Sequence, residues 1–173
     1  LREQIQAAVE AGYPERPEVI FVIAGEPDEE PEFEDALLRD NSELGRVANL
    51  RVKAVRNGRY YELKNAGSRA ASGEILVFLD SDMQPERNWL VELLTPFANG
   101  SAQLSMGYTY LGCSDWMSRS FALFWVFPVR KGAGSVKNMH ALFVSNCAFR
   151  REFFLSNPFI ESAGFKVDCT ILY

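Results

Sequence analysis

Apolar residues along this chain switch between two periods. In "LREQIQAAVE", Leu1, Ile5, Ala8 and Val9 recur at helical spacing, which predicts an amphipathic helix that Tyr13-Pro14 ends. "EVIFVIAG", Glu18 to Gly25, is nearly continuous in apolar residues, as buried parallel strands are. The acidic, proline-marked "EPDEEPEFED" predicts a loop leading into a short helix. "LRVKAV", Leu50 to Val55, predicts a second strand. "RYYELKNAGSRAAS" predicts a helix whose Ala, Gly and Ser let it lie close to a sheet. Ile75 to Leu79 predicts a third strand. Trp89, Leu90, Leu93, Leu94 and Phe97 mark another helix, and Pro85 suits its first turn.

The first half therefore alternates helix and strand, which implies an α/β domain with a mainly parallel sheet. The second half follows another pattern. In "QLSMGYTY", Leu104, Met106, Tyr108 and Tyr110 alternate with Gln103, Ser105, Gly107 and Thr109, as in an antiparallel strand with two unlike faces. An aromatic, helix-like segment runs from Trp116 to Phe127, and the loop "RKGAGSVKN" follows it. "ALFVSNCAF" predicts a further strand closed by Arg150-Arg151, and "VDCTILY" ends the chain inside an element.

Composition narrows the class. The 173 residues are 47% hydrophobic and 24% charged, which fits one globular domain and excludes disorder. The net charge is −5 with no basic cluster, so nucleic acid is not the expected partner. An acidic chain can still take a nucleoside diphosphate when a metal ion supplies the positive charge. Cys113, Cys147 and Cys169 form no CxxC pair, which points to a reduced, cytoplasmic compartment. The longest aromatic run, "FALFWVF", is well short of the roughly 18 apolar residues of a membrane span, so contact with an inner membrane face would be peripheral.

The candidate chemistry lies in "ILVFLDSD". A strand that reads as buried ends on Asp80 and Asp82. Ligands of parallel α/β sheets bind beyond the carboxyl ends of the strands. Carboxylates at i and i+2 on a turn can face one hard cation, and Mg²⁺ is typically held by one or two carboxylates plus substrate phosphates. The plainer alternative is a solvated turn in which Asp82 caps the next helix. A dehalogenase-type phosphatase would place such a pair on the first strand and add a late Gly-Asp-x-x-x-Asp cluster. Here the pair is on about the third strand and no such cluster follows.

Three stretches together resemble the GT-A glycosyltransferases of the large family two. "LREQIQAAVEAGYPERPEVIFVIAG" resembles the family's first helix and second strand. "LKNAGSRAASGEILVFLDSD" resembles its Ala-Arg-Asn-x-Gly, Ala-x-Gly-Glu and Asp-x-Asp run. "SNCAFRREFFLSNPF" resembles its later Asn-x-Ala-Phe-Arg-Arg segment. The resemblance implies a three-layer α/β/α sandwich with a central, mainly parallel mixed sheet. It also implies that residues 1–173 form a single catalytic domain, lacking the first strand and cut at both ends.

The implied activity is inverting transfer of a sugar from a nucleoside-diphosphate-sugar to a glycan or lipid-linked acceptor, with Mg²⁺ or Mn²⁺. Asp82 takes the place of the metal ligand, and Asp80 that of a ribose or metal contact. Lys64, where the family usually has Arg, would line the nucleotide pocket with Asn65 and Gly67. Ser145 and Asn146 match a segment near donor and acceptor. Asp168, in "FKVDCTILY", is the candidate base that deprotonates the acceptor, with Glu161 as the alternative.

Some positions depart from the family. Its Asp-Asp-Gly-Ser after the second strand reads Ala24-Gly25-Glu26-Pro27-Asp28 here, where Glu26 or Asp28 would have to substitute. Val167 replaces the first acid of the usual pair before the final helix. These changes motivate a second reading, an inert GT-A-like module that binds a glycan or partner. A nucleotidyltransferase is a third. His140 is the lone histidine and a minor metal-ligand candidate. Arg150 and Arg151 could meet phosphate or simply flank a strand. Trp116, Phe121, Phe124 and Trp125 fit a core better than an acceptor-side or membrane-facing surface.

Overall fold

The side chains of each strand alternate between two layers of helices. The computed structural model describes residues 1–98, 100, 102–110, 115–117, 120 and 142–162. Its elements are α1 (Arg2–Glu10), β1 (Glu18–Ala24), α2 (Glu30–Asp40), α3 (Ser42–Gly45), β2 (Asn49–Val55), α4 (Tyr60–Ala70), β3 (Ile75–Leu79), α5 (Trp89–Ala98), β4 (Leu104–Met106), β5 (Asn146–Arg150) and α6 (Arg151–Ser156). On β1, Val19 and Phe21 pack with Ile5 and Ala8 of α1 and Leu90 of α5. The intervening Val22 lies against Gly67 of α4. On β3 and β5, Leu76, Phe78, Cys147 and Phe149 pack with Tyr61 of α4 and Phe154 of α6. Ile75 and Ala148, of opposite parity, pack with Leu93 and Phe97 of α5. The period of two along each strand thus builds three layers, with α1, α3 and α5 on one side and α4 and α6 on the other.

The strand layer comes in two pieces. β1 pairs with β2 in parallel, Glu18 opposite Asn49 through Ala24 opposite Val55. β5 runs antiparallel between β3 and β4, with Phe78 opposite Cys147 and Cys147 opposite Met106. The antiparallel pairing bears out the two-faced pattern of the second half. Among the described residues no strand joins β1 to β3. The two pieces are bridged by side chains of α4 on one face and α5 on the other.

Several elements differ from the sequence expectation. The acidic stretch is mostly helix: a 3-10 turn at Pro27–Glu29 runs straight into the eleven residues of α2. Glu29 accepts from the Glu26 amide at 2.9 Å, and acidic residues in a first turn complement the helix dipole. Pro85 is not in the first turn of α5, which begins only at Trp89; its carbonyl instead accepts from Gln4 at 2.8 Å. The strand expected over "QLSMGYTY" stops at Met106, and the one expected over "ALFVSNCAF" starts only at Asn146. Gly107 explains both ends. A Cβ there would lie 2.5 Å from the Asn146 amide, so the backbone turns around that side chain. Most of the aromatic segment from Trp116 to Phe127, with Phe121, Phe124 and Trp125, lies outside the described residues. Trp116 is described, and it is exposed rather than core.

Two predictions concern the fold itself. Alanine is ordinarily preferred to glycine within a helix by about 1 kcal/mol. At Gly67, however, a Cβ would sit 2.7 Å from Val22 Cγ2. Gly67→Ala is therefore expected to destabilise the domain by about 1–3 kcal/mol, as overpacking does. Urea unfolding checks this, and a stabilised variant would show that α4 does not press on β1.

The second concerns acid. Burial pushes the Glu18 carboxyl up, but hydrogen bonds from Ser72 and Arg51 outweigh it and hold the pKa below its ordinary value. The hydrogen bond from Lys53, joined by the Ala54 amide, depresses Glu30. Both folded-state values are depressed, so the stabilisation is present above the unfolded carboxylate pKa of about 4.3 and is lost as pH falls through the folded values. Glu30→Gln should lower stability at neutral pH and shrink the loss on acidification, read as unfolding midpoints across roughly pH 7 to 3. An unchanged acid limb would sink this assignment.

Candidate functional site

The carboxyl ends of β3 and β4, the amino ends of β5 and α4, and the turn after β3 meet at one edge of the strand layer. β3 ends because Asp80 and the turn beyond it leave the ladder. The Asp80 amide donates to the Ser145 carbonyl at 3.0 Å, and Met83 closes the turn on the Asp80 carbonyl at 3.1 Å.

Both oxygens of Asp80 are engaged. Lys64 Nζ donates to Oδ1 at 2.6 Å and Tyr60 Oη to Oδ2 at 2.8 Å. Lys64 also donates to the Val144 carbonyl at 3.2 Å and stands 4.7 Å from the Tyr60 ring centre and 5.5 Å from that of Phe78. The Lys64 side chain is 10% exposed and that of Asp80 is 23% exposed, so this ion pair is largely shielded and neither charge can be removed alone without stranding the other. Tyr60 escaped the sequence reading. A tyrosine at a helix start carries no signal until the fold places it over the strand end.

Asp82 is the contrast. It is exposed on the turn and has no hydrogen bond or ion pair among the described residues. It does not cap α5, which begins at Trp89. Asp82 offers free oxygens to a hard cation, and a site completed by substrate phosphates needs no more than one or two protein carboxylates. Among the described residues no group of three His, Cys, Asp or Glu side chains forms a closed metal site. A hard cation at this turn would take Asp82 as its free protein ligand and its remaining oxygens from phosphates or water.

The other sequence candidates separate. Ser145 sits beside Asp80 in the turn just before β5, half-buried, with its hydroxyl unpartnered among the described residues. Asn146 is buried, and its amide is committed: Trp89 Nε1 donates to Oδ1 at 2.7 Å and Nδ2 donates to Thr109 Oγ1 at 3.3 Å. That amide joins α5 to the β4 exit and holds the strand end in place. Gly67 lies against Val22. Asn65, 2% exposed, turns to the chain after α6, where it meets Phe159 and Glu161. Glu161 accepts from Asn65 and lies 3.8 Å from Arg69.

In the altered loop after β1, Glu26 pairs with Arg56 at 2.7 Å, while Asp28 is exposed. Arg150 is structural: it donates to the carbonyls of Ala102 and Phe97 and pairs with Glu74. Arg151 donates to the Ala71 carbonyl at 2.9 Å. Asp168 and His140 lie outside the described residues. Beneath the site, burial pushes the Cys147 thiol up to about 12, with Lys64 pulling down and Asp80 pushing up. Such a thiol is neutral at pH 7 and is no nucleophile.

The layered strands and the acidic turn at the carboxyl end of β3 define an α/β protein with a candidate site at a strand edge. A protein-family model described as Glycosyl transferase family 2 matches residues 1–156. The chain belongs to that family, and with it to the GT-A fold and the glycosyltransferases. No curated protein matches the chain. No helix among the described residues is long and apolar enough to cross a membrane.

Proposed function

We propose that this chain is a single catalytic domain that moves a sugar from a nucleoside-diphosphate donor to a glycan or lipid-linked acceptor, with inversion and with help from Mg²⁺ or Mn²⁺. The observation that carries the reading is the division of labour in the Asp-x-Asp turn. Asp80 is neutralised by Lys64 and oriented by Tyr60, while Asp82 beside it has no partner among the described residues.

In this reading the acceptor oxygen attacks the anomeric carbon as the bond from that carbon to the diphosphate oxygen breaks. The acceptor proton passes to a carboxylate, for which Asp168 is the candidate. A divalent ion, when bound, supplies Lewis-acid neutralisation of the leaving diphosphate. Asp82 would hold that ion. Asp80, already rigid, would receive a ribose hydroxyl, and the Ser145 hydroxyl would meet the donor. Lys64, paired with Asp80, would line the nucleotide side of the turn.

Titration of UDP and GDP by calorimetry, with and without Mn²⁺, tests the reading. Metal-dependent binding of one of them is expected, and its absence for both would sink the proposal. Donor turnover then separates the transferase from an inert binding module.

A further inference from the structure

Gln4 interrupts the apolar stripe of α1. It lies on the face of Ile5 and Ala8 and is 6% exposed. Its Nε2 donates to the Pro85 carbonyl at 2.8 Å, while its Oε1 is buried with no hydrogen bond among the described residues. Leaving a buried polar atom unsatisfied costs at least as much as one ordinary hydrogen bond contributes. For stability alone, an apolar side chain of the same length would serve as well at this position.

What Gln4 holds is the connection that carries Asp82. That connection leaves β3 at Asp80, which is fixed by Lys64, Tyr60 and the Ser145 carbonyl, and Met83 N donates back to the Asp80 carbonyl. Pro85 follows Asp82 by three residues. Two side chains grip its neighbours at the surface: Tyr110 donates to Glu86, and Arg87 donates to Glu10 at 3.3 Å. Gln4 grips Pro85 from within. Proline fixes its own φ and keeps the preceding residue extended, so a restraint on Pro85 carries back through Gln84 to Met83 and the Asp82 turn. We propose that Gln4 is a positioning residue for the metal ligand: by pinning Pro85 to α1, it sets where the Asp82 carboxylate stands relative to Asp80. Gln4 itself donates to neither carboxylate. The inference rests on the glycosyltransferase reading above and extends its site to α1.

Gln4→Met is the sharpest test. It keeps the length of the side chain, cuts the tether and removes the unsatisfied oxygen. Tm should hold or rise. Affinity for UDP or GDP in the presence of Mn²⁺ should nevertheless fall about tenfold, the low end of the loss when a group that orients a metal ligand is removed. Affinity for the same nucleotide without metal should not change. Arg87→Ala is the control. It cuts the exposed link between the same connection and α1, and exposed pairs of this kind contribute little, so metal-dependent binding should be unchanged.

Hydrogen exchange reads the tether with no nucleotide present. In Gln4→Met the Met83 amide should exchange faster, while the Asp80 amide, bonded to the Ser145 carbonyl, should keep its rate. Four results would overturn the proposal. Metal-dependent affinity could be unaffected by Gln4→Met, Arg87→Ala could weaken it equally, Tm could fall along with affinity, or the Met83 amide could keep its rate. An unaltered protein that binds no nucleotide, yet whose Met83 amide responds to Gln4→Met, would instead locate the failure in the transferase reading.

Discussion

Alanine at position 82 is expected to abolish metal-dependent nucleotide binding while leaving the fold intact. Asp82 is exposed and partnerless among the described residues, so its removal breaks no native contact, and surface changes of this kind stay within about 0.5 kcal/mol. Any large effect must then come from the ligand. Loss of one group that stabilises developing charge costs on the order of 10²- to 10³-fold in turnover, and that is the loss expected for transfer by Asp82→Ala. Calorimetry with UDP or GDP and Mn²⁺, alongside a melting curve, checks both halves. Binding that is indifferent to the substitution would remove Asp82 from the site. Asp80→Ala is a poorer probe. It would strand Lys64, whose side chain is 10% exposed, and so mix stability with binding.

Phe154→Ala is the substitution expected to cost most in stability. Phe154 is 1% exposed, and its ring lies 5.0 Å from Phe78, 5.1 Å from Phe149 and 5.0 Å from Phe159. The hole left behind is walled by three aromatic rings on three different segments, which cannot all collapse into it. Phenylalanine-to-alanine changes of this kind cost about 3–5 kcal/mol. In a domain of this size that corresponds to a fall in Tm of about 10 °C. Because Phe78 leads into Asp80 and Phe159 is the segment held by Asn65, the site should loosen as well. A loss below about 1 kcal/mol would mean that the aromatic cluster is not the core of this half.

Much of this was visible in the sequence because period carries burial. The apolar run from Ile75 to Leu79 gave β3 its bounds, and its end at Asp80 placed the acidic turn at a strand end. The helix after β2 was expected as one rich in Ala, Gly and Ser, and those small residues foretold the close approach at Gly67. Resemblance then supplied the family, which the match over residues 1–156 shows. What escaped were contacts between residues far apart in the chain. Nothing near Asn65 signals that its amide is spent on Phe159, or near Asn146 that its amide is spent on Trp89 and Thr109. Both look like pocket residues in a linear motif, because buried asparagines holding backbone and exposed asparagines holding ligand have the same local sequence. The strand ends at Met106 and Asn146 escaped for the same reason. They are set by the fit of Gly107 around a side chain on another strand.

The break in the strand layer has a thermal consequence. Within each piece the strands are joined by backbone hydrogen bonds, whereas among the described residues no ladder joins β1 to β3, and apolar side chains of α4 and α5 bridge them along with a few polar contacts such as Ser72 N to Glu18 and Gln4 to the Pro85 carbonyl. The part of the seam on α5 is apolar: Leu90 packs toward α1 and β2, and Leu93 and Phe97 pack toward β3 and β5. Hydrophobic attraction weakens on cooling, while ladder hydrogen bonds do not weaken in the same way. The α5 contribution to this joint is therefore expected to weaken on cooling, while the ladders within each piece and the polar contacts across it hold.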